Sequence, residues 1–93
     1  MDIVLSNYGQ SFATRSRARS LIEAMSLDPA EPVRIDFGDV AISPSFMAEA
    51  LDLLSRSGRE LRLVGAQDET LALAANVCER LGFSAIIDRA VLA

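Results

Sequence analysis

Ser43 and Ser45 flank Pro44 just after an apolar segment, and that spacing fits the opening of a helix. Ser43 can accept hydrogen bonds from free backbone N–H groups as an N-cap, and Pro44 suits the first helical position. Ser45 falls inside the first turn, where the helix dipole tolerates negative charge, so a phosphoryl group could be carried there. Arg15, Arg17 and Arg19 open another helix, where the dipole disfavours each cation by about 0.3–1 kcal/mol. On a helical wheel Arg15 and Arg19 border the apolar face on one side and Arg17 on the other. One reading is a site for a partner's acidic groups or a phosphate; the other is solvated side chains, with Arg19 paired to Glu23. Asp36 and Asp39 are close in sequence but straddle a turn at Gly38, which argues against acid–base work by the pair.

Other chemistries lose their usual residues. The chain has no His and one Cys, so a Ser-His-Asp or Cys-His arrangement is excluded, as are an internal disulfide and a Cys-rich or His-rich metal site. Cys78 falls on the apolar face of a helix and reads as a buried structural thiol. The five glycines stand singly at 9, 38, 58, 65 and 82, so there is no glycine-rich phosphate loop. No cofactor is expected, and the chain is not expected to be an enzyme. A net charge of −4 argues against nucleic acid as the main partner. All nine basic residues are Arg, which reads as genome composition rather than function. No apolar run reaches about 18 residues and the N-terminus lacks signal-peptide character, so a cytoplasmic chain without membrane contact is expected.

The elements that must position these residues follow from periodicity. Strands are expected at Asp2–Ser6, Val33–Phe37, Leu61–Val64 and Phe83–Ile87. Helices are expected from a Thr14 cap to about Met25, from Ser45 to about Ser57, and from an Asp68 cap through Leu81, with Gly58 and Gly82 ending the last two. The first helix should bury Ala18, Leu21, Ile22 and Met25, and the second Phe46, Met47, Ala50, Leu53 and Leu54. The third should bury Leu71, Ala74, Ala75 and Cys78 and leave Leu73 and Val77 outside. A short tail should follow the last strand. The order β-α-β-α-β-α-β makes residues 1–93 a single α/β domain with a mainly parallel four-stranded sheet.

The segment Phe12 to Leu54 resembles the STAS-like domains, relatives of the bacterial anti-sigma factor antagonists. Thr14-Arg15 with Ala18 matches the family's hydroxyl-Arg helix start, and Ile35-Asp36-Phe37-Gly38-Asp39-Val40 matches its strand and turn. Ile42-Ser43-Pro44-Ser45 and then Phe46 and Glu49 match its hydroxyl loop and Phe-x-x-Glu helix. The resemblance implies a sheet in the order 2-1-3-4, with the first strand inside and helices packed on it. It also implies a regulatory role through protein binding, switched by phosphorylation of a Ser at the start of the second helix. Ser45 lies nearest that phospho-acceptor and Ser43 is the alternate, although Ser-Pro-Ser-Phe stands here where the antagonists proper carry Asp-Ser-Ser-Gly.

The expectation from sequence is therefore a regulatory protein–protein interaction module whose partner is a kinase or a histidine-kinase-type ATPase domain. Its contact residues are Asp39, Ser43, Ser45, Glu49, Arg15 and Arg19. The alternative is a small-ligand- or nucleotide-binding domain, or an enzyme, using the same sheet edge.

Overall fold

The computed structural model describes residues 1–28, 30–56 and 58–89. Pro29, Ser57 and the expected tail at 90–93 lie outside the described residues. The chain is α/β, with strands β1 (Asp2–Val4), β2 (Ser11–Phe12), β3 (Val33–Asp36), β4 (Ala41–Ile42), β5 (Leu61–Gly65) and β6 (Ile86–Arg89). The helices are α1 (Arg15–Ala24), α2 (Pro44–Ser55) and α3 (Asp68–Leu81), and one 3-10 turn covers Leu5–Asn7. Strands β1, β3, β5 and β6 form an all-parallel sheet in that order. The main strands thus run consecutively, and the expected order with the first strand inside is not found. The interior belongs instead to β3 and β5, whose alternating apolar residues Val33, Ile35, Leu61 and Leu63 are all buried. The three-residue β1, which opens on the exposed Asp2, occupies an edge, where short strands are tolerated best.

Consecutive order fixes where the helices go. Each β-α-β crossover steps one strand in the same direction, and right-handed crossovers then place all three helices on one face of the sheet. The register agrees: Ile3, Ile35, Leu63 and Ile87 lie in one row across the sheet, and they share a single core cluster with residues of all three helices. The opposite face carries the rows Asp2, Arg34, Arg62, Ile86 and Val4, Asp36, Val64, Asp88, with Arg62 Nε 3.6 Å from Asp88 Oδ2.

Lying in one layer, α2 sits between α1 and α3 and buries more of its circumference than an isolated amphipathic helix. Phe46, Met47, Ala50 and Leu54 are buried as expected, and so are Leu51 and Glu49, whereas Leu53 is only half-buried. Helix α3 is rotated from the expected phase. Ala74 and Cys78 are buried, but so are Thr70 and Val77, while Leu73 and Leu71 are half-buried and Ala75 is exposed. Leu73 and Val77 therefore do not point away from the core. A helix packed on both a sheet and a neighbouring helix has two contact directions, and α3 turns that flank toward α2.

Two local expectations also shift, and one small sheet is new. The residue capping α3 is Gln67, with no side-chain cap bond, and Asp68 is already helical. The last strand starts at Ile86, because Gly82 at φ +74° closes α3 with bonds to Cys78 and Glu79, and Phe83 N–H donates to Cys78 O at 3.2 Å. Residues 83–85 then return the chain to the start of a parallel strand, with Phe83 and Ala85 packed partly against the core. Finally, β2 and β4 form a second, two-stranded parallel sheet, with Ser11 opposite Ala41 and Phe12 opposite Ile42. Sequence periodicity gives no sign of strands this short.

Candidate functional site

The small β2–β4 sheet positions the site. Ala41 N–H donates to Gln10 O at 3.1 Å and Ser43 N–H to Phe12 O at 2.9 Å, so the chain enters α1 and α2 from paired strands. The first turns of the two helices are held side by side. Thr14 caps α1 by accepting from Arg17 N–H at 3.0 Å. Ser43 caps α2 by accepting from Phe46 N–H at 3.1 Å, and its hydroxyl donates to Ala13 O at 2.7 Å. Beneath them Phe12 and Phe46 are buried with ring centroids 5.0 Å apart and planes at 53°. Both roles of the Ser43 hydroxyl are structural, and they leave Ser45 as the exposed hydroxyl of the first turn.

The three arginines separate into different roles. Arg17 donates through Nη2 to Tyr8 O at 2.7 Å and lies 5.5 Å from the centroid of the Phe12 ring, which pins the β1–β2 loop. Arg19 reaches Glu49 Oε1 through Nη2 at 2.9 Å. Glu49 is buried, so the carboxylate is shared with α1 inside the fold rather than offered to a partner. Its hydrogen bond and charge raise the Arg19 pKa further above its ordinary value, with Glu23 adding a smaller push. The partner of Arg19 is thus Glu49 rather than Glu23, because α1 and α2 pack flank to flank. Arg15 makes no hydrogen bond or ion pair within the described residues, although it stands in the first turn of α1, where the dipole disfavours it.

Arg15 and Ser45 meet in an open groove of about 550 Å³ between α2 and α3. Ala48 and Asp52 continue the α2 wall, and Leu73, Val77 and Arg80 lie on the α3 side. Asp52 is engaged with Arg56 Nη2 at 2.9 Å. Asp39 lies elsewhere, at the carboxyl ends of the strands, in a depression of about 410 Å³ with Ser6, Gln10 and Gly38. Its Oδ1 accepts from Gln67 Nε2 at 3.5 Å. Asp36 closes the turn by accepting from Gly38 N–H at 2.9 Å, with Gly38 at φ +53°. The two aspartates are thus engaged separately. Cys78 is buried on α3, and desolvation pushes its thiol pKa up. Among the described residues no three His, Cys, Asp or Glu side chains gather as a metal site, and no helix is long and apolar enough to cross a membrane.

Of the six residues expected to contact a partner, the fold therefore brings Arg15 and Ser45 together on one surface. It joins Arg19 to Glu49, uses Ser43 as a cap, and sets Asp39 apart. The α3 wall holds Leu73 and Val77, the i, i+4 pair expected to lie outside, together with Arg80, which no signal in the sequence marks. Comparison with protein families, with characterised proteins and with solved structures finds no match to this chain.

Proposed function

We propose that this chain is a regulatory module that works by binding another protein, with Ser45 as its phosphorylation switch and a kinase or histidine-kinase-type ATPase domain as its partner class. The resemblance of residues 12–54 to STAS-like domains implies this role, although the consecutive strand order departs from the one expected of them. One observation carries the reading: the exposed Ser45 hydroxyl stands in the first turn of α2, beside an Arg15 with no partner among the described residues, on a groove open to a second macromolecule. A phosphate at this position is compatible with the helix dipole and changes the charge of the surface by nearly two units. A cytoplasmic site of action belongs to the same reading. The alternative of small-ligand or nucleotide binding has less support, because a consecutive strand order contains no reversal, and it is at such reversals that open α/β sheets form their ligand crevices.

The test uses the chain recovered from its own cells. Phosphate should be found on Ser45 by mass spectrometry, and a kinase or ATPase domain that co-purifies with wild type should be lost from Ser45→Asp. Absence of phosphate together with equal retention by both forms refutes the switch.

A further inference from the structure

We propose that the groove between α2 and α3 is the docking site for an acidic amphipathic helix of the partner protein. This rests on the reading of the chain as a binding module and names the chemistry of what it binds.

The shape of the groove comes first. Both helices connect parallel strands on the same sheet face, so they run in the same direction and leave a long furrow between them. On α3, Leu73, Val77 and Leu81 recur at i, i+4 and i+8, a stripe of about 12 Å at 1.5 Å per residue. On α2, Ser45, Ala48 and Asp52 recur at i, i+3 and i+7, and the small Ala48 keeps the middle of the furrow open. A trough of this length fits about two turns of a helix, which would lay apolar residues at i, i+4 and i+7 onto the Ala48, Leu73, Val77 and Leu81 floor. The half-buried Leu73 and the exposed Leu81, 39% accessible, leave apolar surface to be covered there.

Charge then selects the occupant. Arg15 lies beside Ser45 at the amino end of α2, and Arg80 stands near the carboxyl end of α3, so the two mark opposite ends of the trough. Neither makes an ion pair within the described residues. The one acidic residue of the lining, Asp52, is neutralised by Arg56. A chain of net charge −4 thus presents a locally cationic, apolar-floored trough. Carboxylates about two turns apart, flanking an apolar stripe, are its complement. A phosphate on Ser45 would compete for Arg15 and repel such a helix, which links this site to the switch.

The test uses two peptides of about four helical turns, each with Leu at i, i+4, i+7 and i+11. One is flanked by Glu and the other by Lys. The full chain is titrated and followed by backbone amide NMR. The Glu peptide should bind at least about tenfold more tightly than the Lys peptide, with shifts confined to α2, α3 and the start of α1. The double variant Arg15→Glu, Arg80→Glu, folded by circular dichroism, should reverse that preference. Equal binding of both peptides, shifts centred on the sheet, or an unchanged preference in the double variant overturns the proposal. Groove shifts that grow with protein concentration alone also overturn it, since the occupant is then a second copy. If the peptides fail while Ser45→Asp still releases a co-purifying kinase or ATPase domain, the occupant is wrong and the binding-module reading stands.

Discussion

Phe46→Ala tests the arrangement that presents the site. Phe46 is 2% exposed and Phe12 is fully buried, so truncating either ring removes apolar surface with no route for solvent to fill the space. Losses of this kind cost about 3–5 kcal/mol. With centroids at 5.0 Å and a tilt of 53°, the pair lies in the favourable range for aromatic contacts, and about 0.5–1.5 kcal/mol of the loss belongs to the pair itself. A small domain holds only about 5–15 kcal/mol in total, so this change removes a large share of it. For a domain of this size each kcal/mol moves Tm by about 4–8 °C, and Phe46→Ala should lower Tm by at least about 12 °C. The chain has no Trp and one Tyr, so urea unfolding is best followed by far-UV circular dichroism. The double variant with Phe12→Ala should cost less than the sum of the two single changes by about the pair energy. A Tm within a couple of degrees of wild type would refute the burial of Phe46. Strict additivity would refute the contact that ties β2 to α2.

Other expectations follow from the same geometry. Ser43→Ala should lower stability by about 0.5–2 kcal/mol in denaturant melts, since it loses the cap and the bond to Ala13 O. Ser45→Asp should leave the melting curve nearly unchanged, because a negative charge in the first turn suits the helix. Ser26, which follows α1 at φ +48°, sits in the region that favours glycine, and Ser26→Gly should raise stability by up to about 1 kcal/mol in the same melts. Burial raises the Cys78 pKa in the folded state, so above the ordinary thiol pKa the unfolded chain holds fewer protons than the folded one. Stability should therefore fall as the pH rises through and beyond that range, and Cys78→Ala should flatten this alkaline limb in melts taken across it.

What the sequence makes legible is what depends on neighbours along the chain. Thr14, Ser43 and Pro44 mark helix starts through local hydrogen bonding and fixed φ, and the structure places them as read. Gly82 caps α3 at positive φ as read, whereas α2 already ends at Ser55 with Arg56 as its cap, two residues before the positive-φ Gly58. Residues whose environment comes from distant partners were misread. Glu49 looks like a surface carboxylate on any helical wheel, but α1 covers that flank and supplies Arg19, thirty positions earlier. Val77 looks exposed until α2 is placed beside α3. The strand order depends on which edge each crossover joins, and no run of residues records that choice. Arg15 was singled out because its charge opposes the local dipole, a signal that is local and therefore readable. Arg80, in the last turn of α3, agrees with the dipole and gives no such signal.

The consecutive strand order has a consequence for how the chain can be assembled. Each main strand after the first hydrogen-bonds to the strand completed just before it, so no strand must await a later one to find its inner partner. The sheet can grow in the direction of synthesis, one strand and one helix at a time, with every increment closing only a single crossover loop. Parallel sheets are ordinarily slow to form because their pairings are non-local. Here each closure spans one helix-containing crossover, residues 5–32, 37–60 and 66–85, and none reaches past a strand still to be made. Growth also defines the order of release: β6 is the last strand added and pairs on one side only, so amide exchange should open this end before β3 and β5.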